Sequence, residues 1–171
     1  LDVYQVDEKF DARNTPHRKQ YSYRLFLRGS HPAYYSNRAL RVGGNLDLPA
    51  MAKAARMLVG QHDFNGFRTI DCGAKTTIRT IFVSEISRIE NDLAVYIVQG
   101  NGFLKQMVRI IVGTLIDIGL GKSKPEIILE ILRSGDRSKA GKTVAPQGLK
   151  LDWVRYSEEY LSDKTEVSDD D

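Results

Sequence analysis

Residues 104-LKQMVRIIVGTLIDIG-119 restrict the fold of this chain more than any other stretch. Their apolar residues recur at helical spacing and occupy nearly every side of the helix that they predict. A helix that is apolar all round must be buried, so other elements have to cover it. Arg109 lies in the middle of this run, between Val108 and Ile110.

The rest of the pattern predicts an α+β fold, with a mainly antiparallel sheet and helices packed on one face. Asp47 suits an N-cap and Pro49 a first helical turn. Asn91-Asp92 is a turn signal between two alternating runs, which predicts a hairpin. The predicted strands cover 2–6, 21–27, 77–89, 93–98 and 149–156, and the further helices cover 48–59 and 125–133. Residues 60–67 are interpreted as a linker and 134–148 as a loop.

The charge of the chain is unevenly distributed. The net charge is +3, but residues 158–171 contribute −6, which leaves +9 on residues 1–157. We expect 1–157 to form one domain and 158–171 to be a disordered acidic tail. A basic domain favours a polyanionic partner such as RNA or DNA, although basic domains also serve solubility alone.

The composition also excludes several kinds of site. The single Cys excludes an internal disulfide and a zinc site with several Cys ligands, and it suits a reducing compartment. His17, His31 and His62 have no metal-like spacing, and neither a metal nor a cofactor is expected. No apolar run approaches the ~20 residues of a membrane span. The start at Leu1 looks like a cut within a longer protein, and no signal peptide follows it.

Arg109 is the sharpest candidate for a functional side chain. A guanidinium in an apolar helix is costly unless it is paired with an anion. It either forms a structural ion pair with an acid of this chain or snorkels to the helix edge, or it reaches an active site and pairs a catalytic carboxylate or a phosphate.

Three other stretches carry weaker signals. The basic residues and alternate tyrosines of 18-RKQYSY-23 suit a base-stacking surface or a strand facing the core. The basic loop 134–148 suits phosphate contacts or simple solvation. His62 and Asp63 lie in a predicted loop with no nucleophile beside them.

Several stretches, in order along the chain, resemble the tRNA pseudouridine synthase A family. The two longest are 100-GNGFLKQMVRIIVGTLIDIG-119 and 136-DRSKAGKTVAPQGLKLDWVRY-156, which are hard to reach by chance. The shorter ones are 10-FDAR-13, 19-KQYSYRL-25, 60-GQHDFNGFR-68 and 76-TTIRTI-81. Together they cover nearly all of residues 1–156.

The resemblance implies an enzyme that isomerises uridine to pseudouridine in the anticodon arm of tRNA, without cofactor or metal. It also implies a homodimer that holds tRNA in a basic cleft. We expect a cytoplasmic location, with an organelle as the alternative. Tyr21 and Arg109 are the implied catalytic residues: Tyr21 packs against the target base and takes part in proton transfer, and Arg109 pairs the catalytic Asp. The implied substrate contacts are Arg13, Tyr23, Arg68, Phe103 and Leu104.

The sequence departs from the family pattern at the catalytic Asp. The family has this residue in a Gly-Arg-Thr-Asp-type motif well before the Lys-x-Tyr strand, and nothing before Tyr21 matches that motif. Asp71, in 67-FRTIDCG-73, follows the strand and is separated from Thr69 by Ile70, so we interpret it as a loop residue. The chain therefore resembles the C-terminal half of the enzyme, and we expect it to be inactive alone. The alternative is a non-catalytic RNA-binding or scaffold protein derived from such an enzyme.

Overall fold

A computed structural model of the protein describes residues 6, 8–12, 14–15, 17–27, 33–90 and 92–156. In this part of the chain, six strands form one sheet, accompanied by three α-helices. The strands are β1 (His17–Phe26), β2 (Leu40–Arg41), β3 (Gly60–Asp63), β4 (Ile78–Glu90), β5 (Leu93–Gly100) and β6 (Leu149–Tyr156). The helices are α1 (Leu48–Arg56), α2 (Met107–Gly119) and α3 (Ile127–Ser134). The predicted α+β fold class is confirmed.

Strand β1 lies inside the sheet. The strands follow the order β2-β1-β5-β4-β3, and β6 also pairs with β1. The β1–β2 pairing is parallel and short, whereas the other pairings are antiparallel. Asp152 is an extra residue in β6, since Gln20 lies opposite Trp153 while Tyr21 lies opposite Leu151. Such a bulge keeps the pairing while changing which face the following residues use.

The core lies between one face of the sheet and the helices. Tyr23 and Leu25 of β1 are fully buried there, and Tyr21 packs against the same cluster. Ser22 and Arg24 alternate with them and use the other face. This matches the predicted alternation of residues 21–27. Among the largest fully buried side chains are Tyr96, Phe64, Phe67, Met51, Ile110 and Ile111.

The predicted hairpin and long helix are confirmed with shifted boundaries. Strands β4 and β5 pair from Ile81↔Gly100 to Glu90↔Leu93. Helix α2 begins at Met107 rather than at Leu104, because Gln106 has a left-handed backbone with φ 64° that breaks the helical geometry. Helix α1 begins as predicted, with the Asp47 carboxylate accepting from the Ala50 N–H at 2.9 Å.

Two short strands were not predicted. The stretch interpreted as a linker, 60–67, contains β3 and a 3₁₀ turn at Asn65–Phe67. His62 and Asp63 therefore lie on a strand, and their interpretation as loop residues was wrong. Strand β2 has two residues, too few to produce an alternating pattern. Apart from Val6, the strand predicted over 2–6 lies outside the described residues, as does the tail 158–171.

Among the described residues, no helix is both long and apolar enough to cross a membrane.

Candidate active site

Arg109 lies in the first turn of α2 and is half-buried. Its Nε donates to the Val144 carbonyl at 2.6 Å, and its Nη1 donates to Gln106 Oε1 at 2.6 Å. In the described part of the chain no carboxylate forms an ion pair with it. Neutral oxygens thus satisfy two of the five guanidinium N–H donors, and the positive charge keeps no anionic partner among these residues.

A loop at residues 140–145, here named the Val144 loop, lies directly against α2. A Cβ added to Gly113 would collide with the Lys142 carbonyl, so this approach requires glycine. The Gly141 N–H donates to Thr114 Oγ1 at 2.9 Å, and this hydroxyl in turn donates to the Ile110 carbonyl at 2.9 Å. These buried contacts fix the Val144 carbonyl that orients Arg109.

Tyr23 connects β1 to the same loop. Its hydroxyl donates to the Ala145 carbonyl at 2.5 Å. The side chain is 0% exposed, and burial raises the pKa of Tyr23 to about 12 even though the nearby Arg109 charge lowers it. A phenol with this environment is neutral at physiological pH and unavailable to a large ligand. Tyr23 therefore belongs to the core beneath the candidate site, and its side chain has no exposed surface that could contact a substrate.

Tyr21, two residues earlier on the same face of β1, is only partly buried. Its ring meets the Phe103 ring edge to face, with centroids 5.2 Å apart. Burial raises the pKa of the Tyr21 phenol above its usual value of 10.0. Leu151 lies opposite Tyr21 in β6 and is 46% exposed. Leu151 therefore adds exposed apolar surface beside Tyr21.

The segment 101–106 leads from β5 into α2 and positions three side chains. Phe103 is half-buried against Tyr21, and Leu104 is 4% exposed and belongs to the core. Lys105 points outward and forms an ion pair with Asp71. The structure thus brings together Tyr21, Tyr23, Phe103, Leu104 and Arg109.

Residues 68–75, here named the Asp71 loop, contact this segment through exposed groups. The hydrogen bond from Lys105 lowers the pKa of the Asp71 carboxyl below its usual value of 3.8. Arg68 braces the loop: its Nε donates to Asn65 Oδ1 at 2.7 Å and its Nη1 to the Cys72 carbonyl at 3.3 Å. Arg68 is thus engaged within the protein, and its predicted contact with RNA stays a prediction.

Several other candidates have different surroundings. The His62 Nε2 lies 3.0 Å from the Val59 carbonyl and its ring contacts Phe64, a structural environment. In the loop 134–148, Arg137 is also engaged, with its Nη1 donating to the Ala140 carbonyl at 3.2 Å. Arg13 lies outside the described residues. Among the described residues, no group of three His, Cys, Asp or Glu side chains could hold a metal.

Sequence reasoning missed the groups that orient Arg109. Gln106 precedes Arg109 by three residues, a spacing at which side chains meet on a helix surface, and this signal was available. Val144 acts through its carbonyl, which any residue would supply, so no side-chain pattern marks it. The exposure of Leu151 beside Tyr21 depends on strand pairing and has no local signature.

The geometry is that of an α+β domain in which a half-buried arginine lies near Tyr23 and forms no ion pair with any described carboxylate. Such a site suits an anion together with a planar ring. A model of the tRNA pseudouridine synthase family matches residues 54–157. The chain belongs to this family.

Curated relatives agree with this assignment. The chain is 41% identical over 155 residues to tRNA pseudouridine synthase A of Caldicellulosiruptor bescii, covering 91% of this chain and 63% of the relative. It is 42% identical over 152 residues to tRNA pseudouridine synthase A 2 of Clostridium perfringens, covering 89% and 62%. The Myxococcus xanthus tRNA pseudouridine synthase A is 38% identical over 156 residues, with 91% and 59% covered. The chain thus spans about three fifths of the length of these relatives.

Proposed function

We propose that residues 1–157 form the C-terminal half of an enzyme that isomerises uridine to pseudouridine in the anticodon arm of tRNA. The observation that carries this proposal is the environment of Arg109. Its charge lies half-buried at the end of a helix, is oriented by two hydrogen bonds, and has no carboxylate partner among the described residues. A carboxylate from outside this chain would complete it.

The reaction exchanges one bond of the uracil ring for another. The glycosidic bond from N1 to the ribose C1′ breaks, a bond from C5 to C1′ forms, C5 loses its proton and N1 gains one. In this proposal a catalytic Asp, supplied by a part of the protein that this chain lacks, attacks the nucleotide after it has flipped out of the stack. Arg109 pairs with that Asp and keeps it ionised, because an adjacent cation favours the charged form of a carboxyl.

Tyr21 and Phe103 form the part of the pocket that receives the base. Their edge-to-face contact fixes both rings, and the exposed Leu151 extends the apolar wall. Because burial raises the pKa of Tyr21, its phenol is protonated at neutral pH. It can donate a hydrogen bond or relay a proton, but accepting the C5 proton requires a second base. We propose that this base is the carboxylate of the catalytic Asp, which the part of the enzyme outside this chain supplies.

The proposed partners follow from the same assignment. The substrate is tRNA, the complete enzyme is a homodimer, it works in the cytoplasm, and this chain alone is inactive. The basic charge of residues 1–157 supports a polyanionic substrate.

The non-catalytic alternative deserves a direct test because of the same arginine. The hydrogen bonds to Val144 and Gln106 use two of the five N–H donors of Arg109, and an RNA phosphate can accept from the others in place of a carboxylate. Keeping Arg109 therefore does not by itself separate an enzyme from a scaffold.

A chimera separates the two functions. Residues 1–157 of this chain replace the matched part of the Caldicellulosiruptor bescii relative, and tritium release from tRNA carrying ³H at C5 of uridine is measured. We expect turnover by the chimera and none by this chain alone. Turnover by residues 1–171 alone contradicts the missing nucleophile, and a folded chimera that binds tRNA without turnover supports the scaffold.

Two substitutions in the chimera test the residue roles. Arg109→Ala should lower turnover roughly 100-fold or more and reduce stability, because it leaves the carboxylate unpaired. Tyr21→Phe keeps the ring and should impair turnover more than tRNA affinity. Equal losses in both would mean that the hydroxyl mainly serves binding.

A further inference from the structure

The face of the sheet opposite the helices carries an arginine pair. Arg18 of β1 lies directly opposite Arg155 of β6, and Gln20 lies directly opposite Trp153. Residues directly opposite in a sheet use the same face, and β1 alternates, so these four side chains lie on the face away from Tyr21 and Tyr23. Both arginines are exposed.

Each arginine stacks on an aromatic ring. The guanidinium carbon of Arg18 lies 4.4 Å from the centroid of Phe82, and that of Arg155 lies 4.5 Å from the centroid of Trp153. Phe82 is 36% exposed and Trp153 is half-buried, so both rings retain accessible surface. Cation–π stacking holds the guanidinium planes without neutralising their charge.

This pairing has an electrostatic cost that no ion pair among the described residues offsets. Like charges placed directly opposite on one sheet face repel. Within the described ranges, neither arginine forms an ion pair with a carboxylate. The neighbouring acid is Asp152, and its oxygens are already used by other groups. They accept from Gln20 Nε2 and Ser22 Oγ at 3.0 Å each, and Lys150 lies 3.1 Å away.

We propose that Arg18 and Arg155, with Phe82 and Trp153, bind the phosphodiester backbone of RNA at a site separate from the reaction centre. Two adjacent guanidinium groups with no carboxylate partner in the described part of the chain suit phosphate oxygens, which they can contact bidentately. The two rings beside them offer surfaces on which unpaired bases stack. The choice of RNA rests on the proposed function.

The site lies on the opposite side of β1 from Tyr21. It would therefore contact a region of tRNA other than the target nucleotide, and it would add affinity without taking part in the isomerisation. Phosphate contacts position a nucleic acid and make its binding depend on salt.

The test uses the 171-residue chain and a fluorescein-labelled, unmodified tRNA transcript. Binding is measured by fluorescence anisotropy over a series of NaCl concentrations. The double substitution R18Q/R155Q should weaken binding about tenfold and reduce the slope of log K against log salt by about 1.5, the loss expected for two phosphate contacts.

The matched control is R38Q/R41Q. It removes the same total charge from two exposed arginines at the far end of β1 from Arg18, one stacked on Tyr34 before β2 and one in β2. We expect it to weaken binding less than threefold. Equal losses in the two double variants would overturn the proposal, since the charge would then act nonspecifically. A third variant, R18K/R155K, should keep most of the salt slope while losing affinity, because lysine keeps the charge but not the planar fork.

Two further outcomes are informative. If R18Q/R155Q changes the sedimentation of the chain and leaves RNA binding unchanged, the surface joins protein copies and the proposal is wrong. If the wild-type chain does not bind the transcript at low salt, the proposal also fails, whereas the isomerase function is judged separately by tritium release from the chimera.

Discussion

The two loops that approach the candidate site are held in opposite ways. The Val144 loop is fixed by buried contacts: a glycine of α2 against a backbone carbonyl, and a threonine hydroxyl that accepts from Gly141. The Asp71 loop is braced by the half-buried Arg68, and Asp71 joins it to the segment 101–106 through the Lys105–Asp71 ion pair, which is exposed on both sides. The orientation of Arg109 therefore depends on packing, whereas Asp71 contributes a weaker, salt-sensitive contact. Substitutions that disrupt the buried contacts of the first loop should cost far more than substitutions at Gly73 or Asp71 in the second.

The largest expected effect is that of Gly113→Ala. Alanine normally favours a helix over glycine by about 1 kcal/mol, but here its methyl group would meet the Lys142 carbonyl. We expect a loss of roughly 3 kcal/mol or more in the free energy of unfolding, measured by urea denaturation. The matched control is Gly73→Ala in the Asp71 loop, where nothing lies within 4 Å of the added Cβ. Similar losses for the two variants would remove the contrast between the loops.

Thr114→Val should have the next largest effect. It keeps the shape of the side chain and removes the oxygen that accepts from the Gly141 N–H. A buried N–H without an acceptor costs about 1–3 kcal/mol in the free energy of unfolding. Thr114→Ser restores the hydroxyl and should recover part of the loss. A stability unchanged from wild type would mean that water or a backbone shift satisfies Gly141.

Tyr23→Phe should cost about 1–2 kcal/mol, since the Ala145 carbonyl loses its donor. It should also change the alkaline pH dependence of unfolding. The pKa of Tyr23 is raised from 10.0 to about 12, so its contribution is complete below pH 10 and is lost as the pH rises toward 12. The difference between wild type and variant should therefore shrink over this range. A constant difference across it would show that Tyr23 titrates normally.

The smallest effect is expected for Asp71→Asn, which removes the ion pair with Lys105. Exposed ion pairs contribute little and are screened by salt. The urea midpoint should hardly change, and any change should disappear in high NaCl. A loss as large as that of Tyr23→Phe, persisting in high salt, would show that this ion pair holds the segment 101–106 in place.

The sequence predicts the parts of this fold in which an alternating or helical pattern extends over many residues. Strands β4 and β5 and helix α2 extend over eight to thirteen residues, enough for alternation or helical spacing to appear. Strands β2 and β3 have two and four residues, and their pairing depends on neighbours distant in the chain. Short edge strands of this kind are stabilised by tertiary context, which a local pattern does not contain.

The sequence likewise predicts only part of the candidate site. Arg109 is visible from the sequence because a charge interrupts an apolar helix. Its partner Val144 is not, because it contributes a backbone carbonyl. Gln106 is indicated by its spacing of three residues from Arg109, but its left-handed backbone, which few residues other than glycine use, is not. Of the alternatives open for Arg109, the ion pair with an acid of this chain is not formed among the described residues, and two neutral oxygens contact the guanidinium there.

The extra residue in β6, Asp152, has a consequence for how this strand can change in length. Before it, Leu151 shares a side of the sheet with Tyr21; after it, Trp153 and Arg155 share the other side with Gln20 and Arg18. Deleting one residue here would move the side chains in one half of the strand to the opposite face of the sheet. Either Arg155 would turn toward the face that carries the candidate site, or Leu151 would leave that face. Substituting Asp152 would leave each side chain on its present face of the sheet. Insertions or deletions near it would be tolerated only if they add or remove two residues at a time.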